Sequence, residues 1–269
     1  MGILLAELEQ RRGRLVSADL FRVDQKVALV SGASRGLGQA MAIALADAGA
    51  DVVLTANSPS DETAAAVRAT GRRAHVLTAD LGTATPADLE GLVSETSEVF
   101  GRIDILVNNA GIIRRAPALE LTEADWDDVV QINQKAAFFL AQAAARRMTA
   151  TGGGRIINTA SLLSFQGGIS VPSYTASKSA LAGLTRAMAN EWAQHSVNVN
   201  AIVPGYFATD NTAPLRADHD RSRAILDRIP AGRWGVPADI AGAVVFLASP
   251  AAAYVHGHLL AVDGGWLAR

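Results

Sequence analysis

Seven short apolar runs recur along the chain, each separated from the next by a longer stretch with helical spacing, and this alternation constrains the fold most tightly. Brief apolar runs between amphipathic segments describe repeated βαβ units, whose strands are parallel and covered on both faces. The runs are Lys26–Val30, Val52–Leu54, His75–Leu77, Ile103–Val107, Arg155–Ile157, Val197–Ile202 and Leu259–Val262. After the first of them Met41, Ala44, Leu45 and Ala48 fall on one helical face, and Gly49 supplies a stop. The alternation continues through Gly152-Gly153-Gly154, so that triplet reads as a turn into the fifth strand. The expected fold is a Rossmann-type, doubly wound α/β sheet of seven mainly parallel strands with helices on both faces. A chain of 269 residues holds one such domain, placed at 20–269, behind a charged N-terminal leader at 1–19.

Composition removes several function classes. The chain has no Cys, which excludes disulfides, thiolate metal sites and a cysteine nucleophile, and agrees with a reducing compartment; a cytoplasmic location is expected. A formal net charge of -2 argues against a nucleic-acid partner. No apolar run approaches the ~18 residues of a membrane span, so no membrane partner is expected. The five His form no ligand cluster, and no metal is expected.

Between the first strand and the first helix lie Gly32, Gly36 and Gly38, where the backbone must turn tightly and approach a pyrophosphate. A helix start there offers unpaired N–H groups and positive dipole potential, which hold phosphate without a lysine. Three residues separate the first two glycines, unlike the G-x-G-x-x-G fingerprint, and the Walker lysine is missing, so an NTPase reading fails. Asp80 follows the third strand at the ligand edge of the sheet, placed either to accept from an adenine amino group or to cap a turn. The second strand ends in Thr55-Ala56-Asn57 without the acid that usually binds an NAD ribose, while Arg35 in the glycine turn suits a 2′-phosphate.

Tyr174 and Lys178 stand four positions apart at the start of a helical run and project from one face. A phenol titrates near ~10, and a neighbouring ammonium is expected to lower that value by favouring the phenolate. Ser161, at the end of the fifth strand, is placed to bind and polarise a reacting oxygen. Asn133 lies in the helical stretch that opens at Thr122, where a core-facing amide needs partners; holding a proton-relay water is one expected role.

Taken together, these residues resemble the short-chain dehydrogenase/reductase superfamily from Lys26 onward. The resemblance implies a nicotinamide dinucleotide held by Gly32, Ser34, Arg35, Gly36, Leu37, Gly38, Asp80, Leu81, Asn109, Ala110, Gly111, Tyr174, Lys178, Pro204, Gly205, Phe207 and Thr209. It implies Asn133, Ser161, Tyr174 and Lys178 as the catalytic four. The stretches Asn109–Arg115, Ser164–Gly168, Arg228–Gly235 and Ala261–Arg269 resemble members acting on sugar acids in uronic-acid catabolism. They imply hydride transfer to or from a deoxy sugar acid of the 2-dehydro-3-deoxy-D-gluconate or 2-deoxy-D-gluconate type, NAD as the commoner coenzyme with NADP as the alternative, and a homotetramer. An acid substrate calls for a cation, and Arg115, Arg216 and Arg223, with Gln166 as a polar contact, are the expected substrate residues. An NADPH-dependent 3-oxoacyl or broad ketone reductase, and a non-catalytic dinucleotide-binding regulator, are the competing readings.

Overall fold

The computed structural model describes residues 18–269, so the leader expected at 1–19 lies outside the described residues but for its last two. In chain order the elements are β1 (Val27–Ser31), α1 (Gly36–Asp47), β2 (Asp51–Ala56), α2 (Asp61–Ala69), β3 (Ala74–Thr78), α3 (Pro86–Phe100), β4 (Ile105–Asn108) and α4 (Glu123–Val130). A π-helical turn, Gln131–Ala136, joins α4 to α5 (Ala137–Ala150). There follow β5 (Gly154–Thr159), α6 (Pro172–Trp192), β6 (Val197–Pro204), the short α7 (Ala213–Ala217), α8 (His219–Leu226), α9 (Ala241–Ala248) and β7 (Leu259–Val262).

The strands form one sheet in the order β3-β2-β1-β4-β5-β6-β7, and every pairing is parallel. All seven expected strands are present. Successive strand residues serve opposite faces, as a pleated sheet requires: Ala28 and Val30 pack with Met41, Leu45 and Val244, whereas Leu29 packs with Leu106, Leu140 and Ile156. Local chemistry sets the helix ends. Thr85 and Asp88 cap α3 reciprocally, with Pro86 in its first turn, and Gly101 closes it in a left-handed conformation.

The strand order reverses between β1 and β4. At such a switch point the loops leaving the carboxyl ends diverge to opposite faces and leave a crevice. Here that crevice is bounded by the turn after Ser31 and by the segment after Asn108.

Candidate active site

A cleft of about 560 Å³ opens at this switch point. Its floor is the glycine turn. Gly32 has φ +64°, and a Cβ there would lie 2.8 Å from Ala110 Cα; a Cβ on Gly38 would collide with the Gly32 carbonyl oxygen. The turn is braced from β4: Asn109 Nδ2 donates to the carbonyls of Ser31 and Gly32 at 3.2 and 3.1 Å, and Ser31 Oγ accepts from the Asn109 and Ala110 N–H groups. Asn109 therefore holds the turn's shape.

Among the described residues no side chain caps α1, so the N–H groups of its first turn are uncapped beside the cleft. With Gly32, Ser34, Arg35, Gly36 and Leu37 lining the cleft beside them, the turn suits a pyrophosphate. Asp80, Leu81, Asn109, Ala110, Gly111, Pro204, Gly205, Phe207 and Thr209 also line it. Gly38 does not; it lets α1 pack against the turn. Asp80 Oδ1 accepts from Gly82 N at 2.9 Å, so the carboxylate caps a turn, and the residue also lines the cleft. A dinucleotide fits this cradle.

Several lining residues escaped sequence reasoning. Ser58 donates to Ser34 Oγ at 2.9 Å, and Asp210 pairs with Arg35 at 3.2 Å across the cleft mouth. The absence of an acid after β2 pointed toward this end of the site, but Asp210 lies far along the chain and carried no local signal.

Ser161, Tyr174 and Lys178 line the same cleft. β5 ends at Thr159, two residues before Ser161, which instead caps a 3-10 turn through Leu163 N at 3.2 Å. α6 begins at Pro172 and carries both Tyr174 and Lys178. The Lys178 ammonium lies 5.7 Å from the phenol ring centroid and donates to the Thr159 carbonyl at 2.6 Å.

The expected lowering of the Tyr174 pKa by its neighbour is corrected. Burial pushes the phenol above its ordinary value, while hydrogen bonding to Ser161 and the positive charge of Arg115 pull it back only in part. Burial also brings Lys178 down to about 8. Both groups thus resist ionisation, and the phenol stays protonated, a proton donor, near neutrality.

Asn133 has the partners that a core-facing amide needs. Oδ1 accepts from Ile112 N at 2.8 Å, and Nδ2 donates to Ile112 O at 2.9 Å and Ser177 Oγ at 3.2 Å. Oδ1 keeps a second lone pair beyond these contacts. It sits in the π-helical turn, where one extra residue per turn re-aims a side chain, a device frequent at functional sites.

Of the expected substrate residues, two are bonded to one cleft-lining segment, 209–211. Arg115 Nη2 donates to Asn211 O at 3.0 Å, and its charge reaches the Tyr174 phenol. Arg216 Nη2 donates to Thr209 O at 3.1 Å. Arg223 is exposed on α8. Gln166 is bonded to Trp266 and Arg228 instead of facing those arginines. Among the described residues no cluster of His, Asp and Glu suits a metal, and no helix is long and apolar enough to cross a membrane.

Known proteins resemble this chain in sequence and in fold. The profile of the Enoyl-(Acyl carrier protein) reductase family matches residues 32–267. A protein of Escherichia coli (strain K12) named 2-dehydro-3-deoxy-D-gluconate 5-dehydrogenase is 60% identical over 252 residues, covering 93% of this chain and 98% of its own. A crystal structure from Agrobacterium tumefaciens with bound NADP has 54% identity and a TM-score of 0.87, across 93% of this chain and 99% of the other. A gluconate 5-dehydrogenase from Burkholderia cenocepacia J2315, in complex with NADP and tartrate, has 38% identity and a TM-score of 0.89, across 94% and 100%. Matched along nearly its whole length in sequence and in fold, the chain belongs to the short-chain dehydrogenase/reductase family.

Proposed function

We propose that the protein is an NAD(P)-dependent oxidoreductase that interconverts a secondary alcohol and a ketone on a deoxy sugar acid of the 2-dehydro-3-deoxy-D-gluconate type. The name of its Escherichia coli relative supports the substrate class. The observation that carries the reaction is the shared cleft, where Ser161, Tyr174 and Lys178 stand opposite the glycine turn. When bound, the dinucleotide supplies or accepts the hydride.

The chain's own residues handle the proton. In reduction the Tyr174 phenol gives its proton to the carbonyl oxygen; in oxidation the phenolate takes it back from the alcohol. Ser161, lining the same cleft as the phenol, orients the reacting oxygen. Lys178 offsets the phenolate charge, and its bond to Thr159 keeps the ammonium in place. Asn133 fixes the backbone at Ile112 and so positions the wall beside Gly111, where a Cβ would lie 3.2 Å from Asn133 Oδ1.

Arg35 and the neutral end of β2 favour NADP over NAD, a preference supported by the NADP in relatives' structures. Arg115, whose charge reaches the phenol, is the foremost candidate for the substrate carboxylate. A cytoplasmic homotetramer is proposed with this reading, with the open β7 edge of the sheet as a subunit contact; light scattering of the purified protein tests it.

A 3-oxoacyl or broad ketone reductase is the second reading; the matching family profile is described by an acyl-carrier-protein reductase, which shares the acyl-thioester substrate class but reduces an enoyl double bond. Reduced-nicotinamide absorbance with sugar acids, acyl thioesters and simple diols separates the two. Turnover of sugar acids alone supports the first, and turnover of thioesters alone supports the second. Tyr174→Phe is expected to lower turnover by roughly 10²–10⁴-fold with coenzyme affinity retained; full activity in that variant overturns the mechanism, and coenzyme binding without turnover of any substrate by the wild type favours a regulator.

A further inference from the structure

The loop that follows Ser161 is gripped from two sides. On one side it rides on α6: Ser164 Oγ donates to the Lys178 carbonyl at 2.7 Å, and Ser179 Oγ donates to the Leu163 carbonyl at 3.1 Å. On the other, Gln166 Oε1 accepts from Trp266 Nε1 at 3.2 Å and from Arg228 Nη2 at 3.4 Å.

The carboxyl-terminal turn is built to place that indole. Gly264 and Gly265 adopt φ values of +65° and +90°, and the Asp263 carboxylate accepts from Gly265 N at 2.9 Å and Leu267 N at 2.8 Å. Trp266 is only 4% exposed, with Tyr206 against it at a centroid distance of 4.6 Å. The Arg228 guanidinium lies 4.1 Å over the indole, and Arg269 donates to the Asp227 and Arg228 carbonyls. Trp266, Arg228 and the tail therefore form one assembly.

An indole N–H and a guanidinium can be accepted only by the oxygen of the Gln166 amide, because the reversed amide would set donor against donors. The amide orientation is thereby decided. Among the described residues nothing accepts from Gln166 Nε2, and the side chain is partly open to solvent. Its two N–H donors have no protein acceptor among the described residues.

We infer that the carboxyl-terminal turn is a positioning element of the substrate site, in which Trp266, backed by Arg228, locks Gln166 with its Nε2 donors presented to an acceptor oxygen of the sugar acid. This rests on the proposed function, and it assigns to a tail remote in sequence a share in substrate specificity. Because the same loop is tied to Lys178 and begins at Ser161, a loosened tail would be felt at the reacting oxygen as well.

Trp266→Phe keeps an aromatic ring and deletes the N–H. It is expected to lower kcat/KM for the sugar acid about five- to tenfold, mainly through KM, since one amide-orienting hydrogen bond is lost. The coenzyme dissociation constant stays unchanged, which shows that the fold is intact. In a Gln166→Ala background the same substitution has no further effect, because the tail acts through that amide. Arg228→Met gives a smaller rise in KM that likewise vanishes in the Gln166→Ala background, and it serves if the Trp266 variant does not fold. Additive losses in the double variants, or an unchanged KM in the single ones, overturn the inference and leave the proposed function standing. A wild-type protein that turns over no sugar acid overturns both.

Discussion

Lys178 Nζ donates to the Thr159 carbonyl oxygen at 2.6 Å and, among the described residues, pairs with no carboxylate. The bond pins the amine to the end of β5, beside Ser161, while burial holds its pKa at about 8. Tyr174, on the same helix face, is pushed the other way by the same burial. The charge that must steady a phenolate is thus itself close to being lost in mildly alkaline solution.

The sign of the resulting pH dependence follows. Below pH 8 Lys178 is charged and can stabilise the phenolate left when Tyr174 donates its proton; as pH rises through about 8 that charge disappears. The rate of ketone reduction is expected to fall across this interval, before the phenol itself titrates. Lys178→Arg, whose guanidinium stays charged, should lose that limb from whatever activity remains. Steady-state kcat/KM measured on both sides of pH 8 checks it, and a wild-type profile flat across that value would refute the assignment.

Gly38→Ala places a methyl group against the Gly32 carbonyl oxygen, a backbone atom that cannot step aside. We expect a loss of roughly 1–3 kcal/mol in stability from the forced shift, together with loss of coenzyme affinity. Thermal unfolding and a coenzyme fluorescence titration report the two effects separately.

Asn133→Ala strips partners from both the N–H and the carbonyl of Ile112. Ile112 is half-buried, so leaving its backbone groups unpaired is expected to cost about 1 kcal/mol, the low end for such groups, and the denaturant midpoint should drop. A role confined to a relay water would leave that midpoint in place and reduce kcat alone.

Arg35→Ser should weaken NADPH binding about ten- to a hundredfold while changing NADH affinity little, as expected for removal of a charge-assisted bond to a 2′-phosphate. Protein stability should hardly move. The Arg35–Asp210 pair is highly exposed on both sides, and such pairs contribute little. Equal losses for the two coenzymes, read by direct titration, would place Arg35 on the shared pyrophosphate instead.

How much of this was legible beforehand depended on the distance over which the relevant physics acts. The seven strands, the helix face of Met41 and Leu45, the glycine turn, and the four-residue spacing of Tyr174 and Lys178 are written in local periodicity and backbone geometry, so the linear chain determined them. Other features needed the folded molecule. The direction of the Tyr174 pKa depends on what surrounds the ring, and the π-helical turn at Asn133 on how α4 meets α5. The Arg35–Asp210 pair and the Gln166–Trp266 bond, the latter joining residues 100 positions apart, exist because the sheet brings distant loops to one edge. Desolvation and long-range hydrogen bonds are properties of an assembled environment, and that environment is decided in three dimensions.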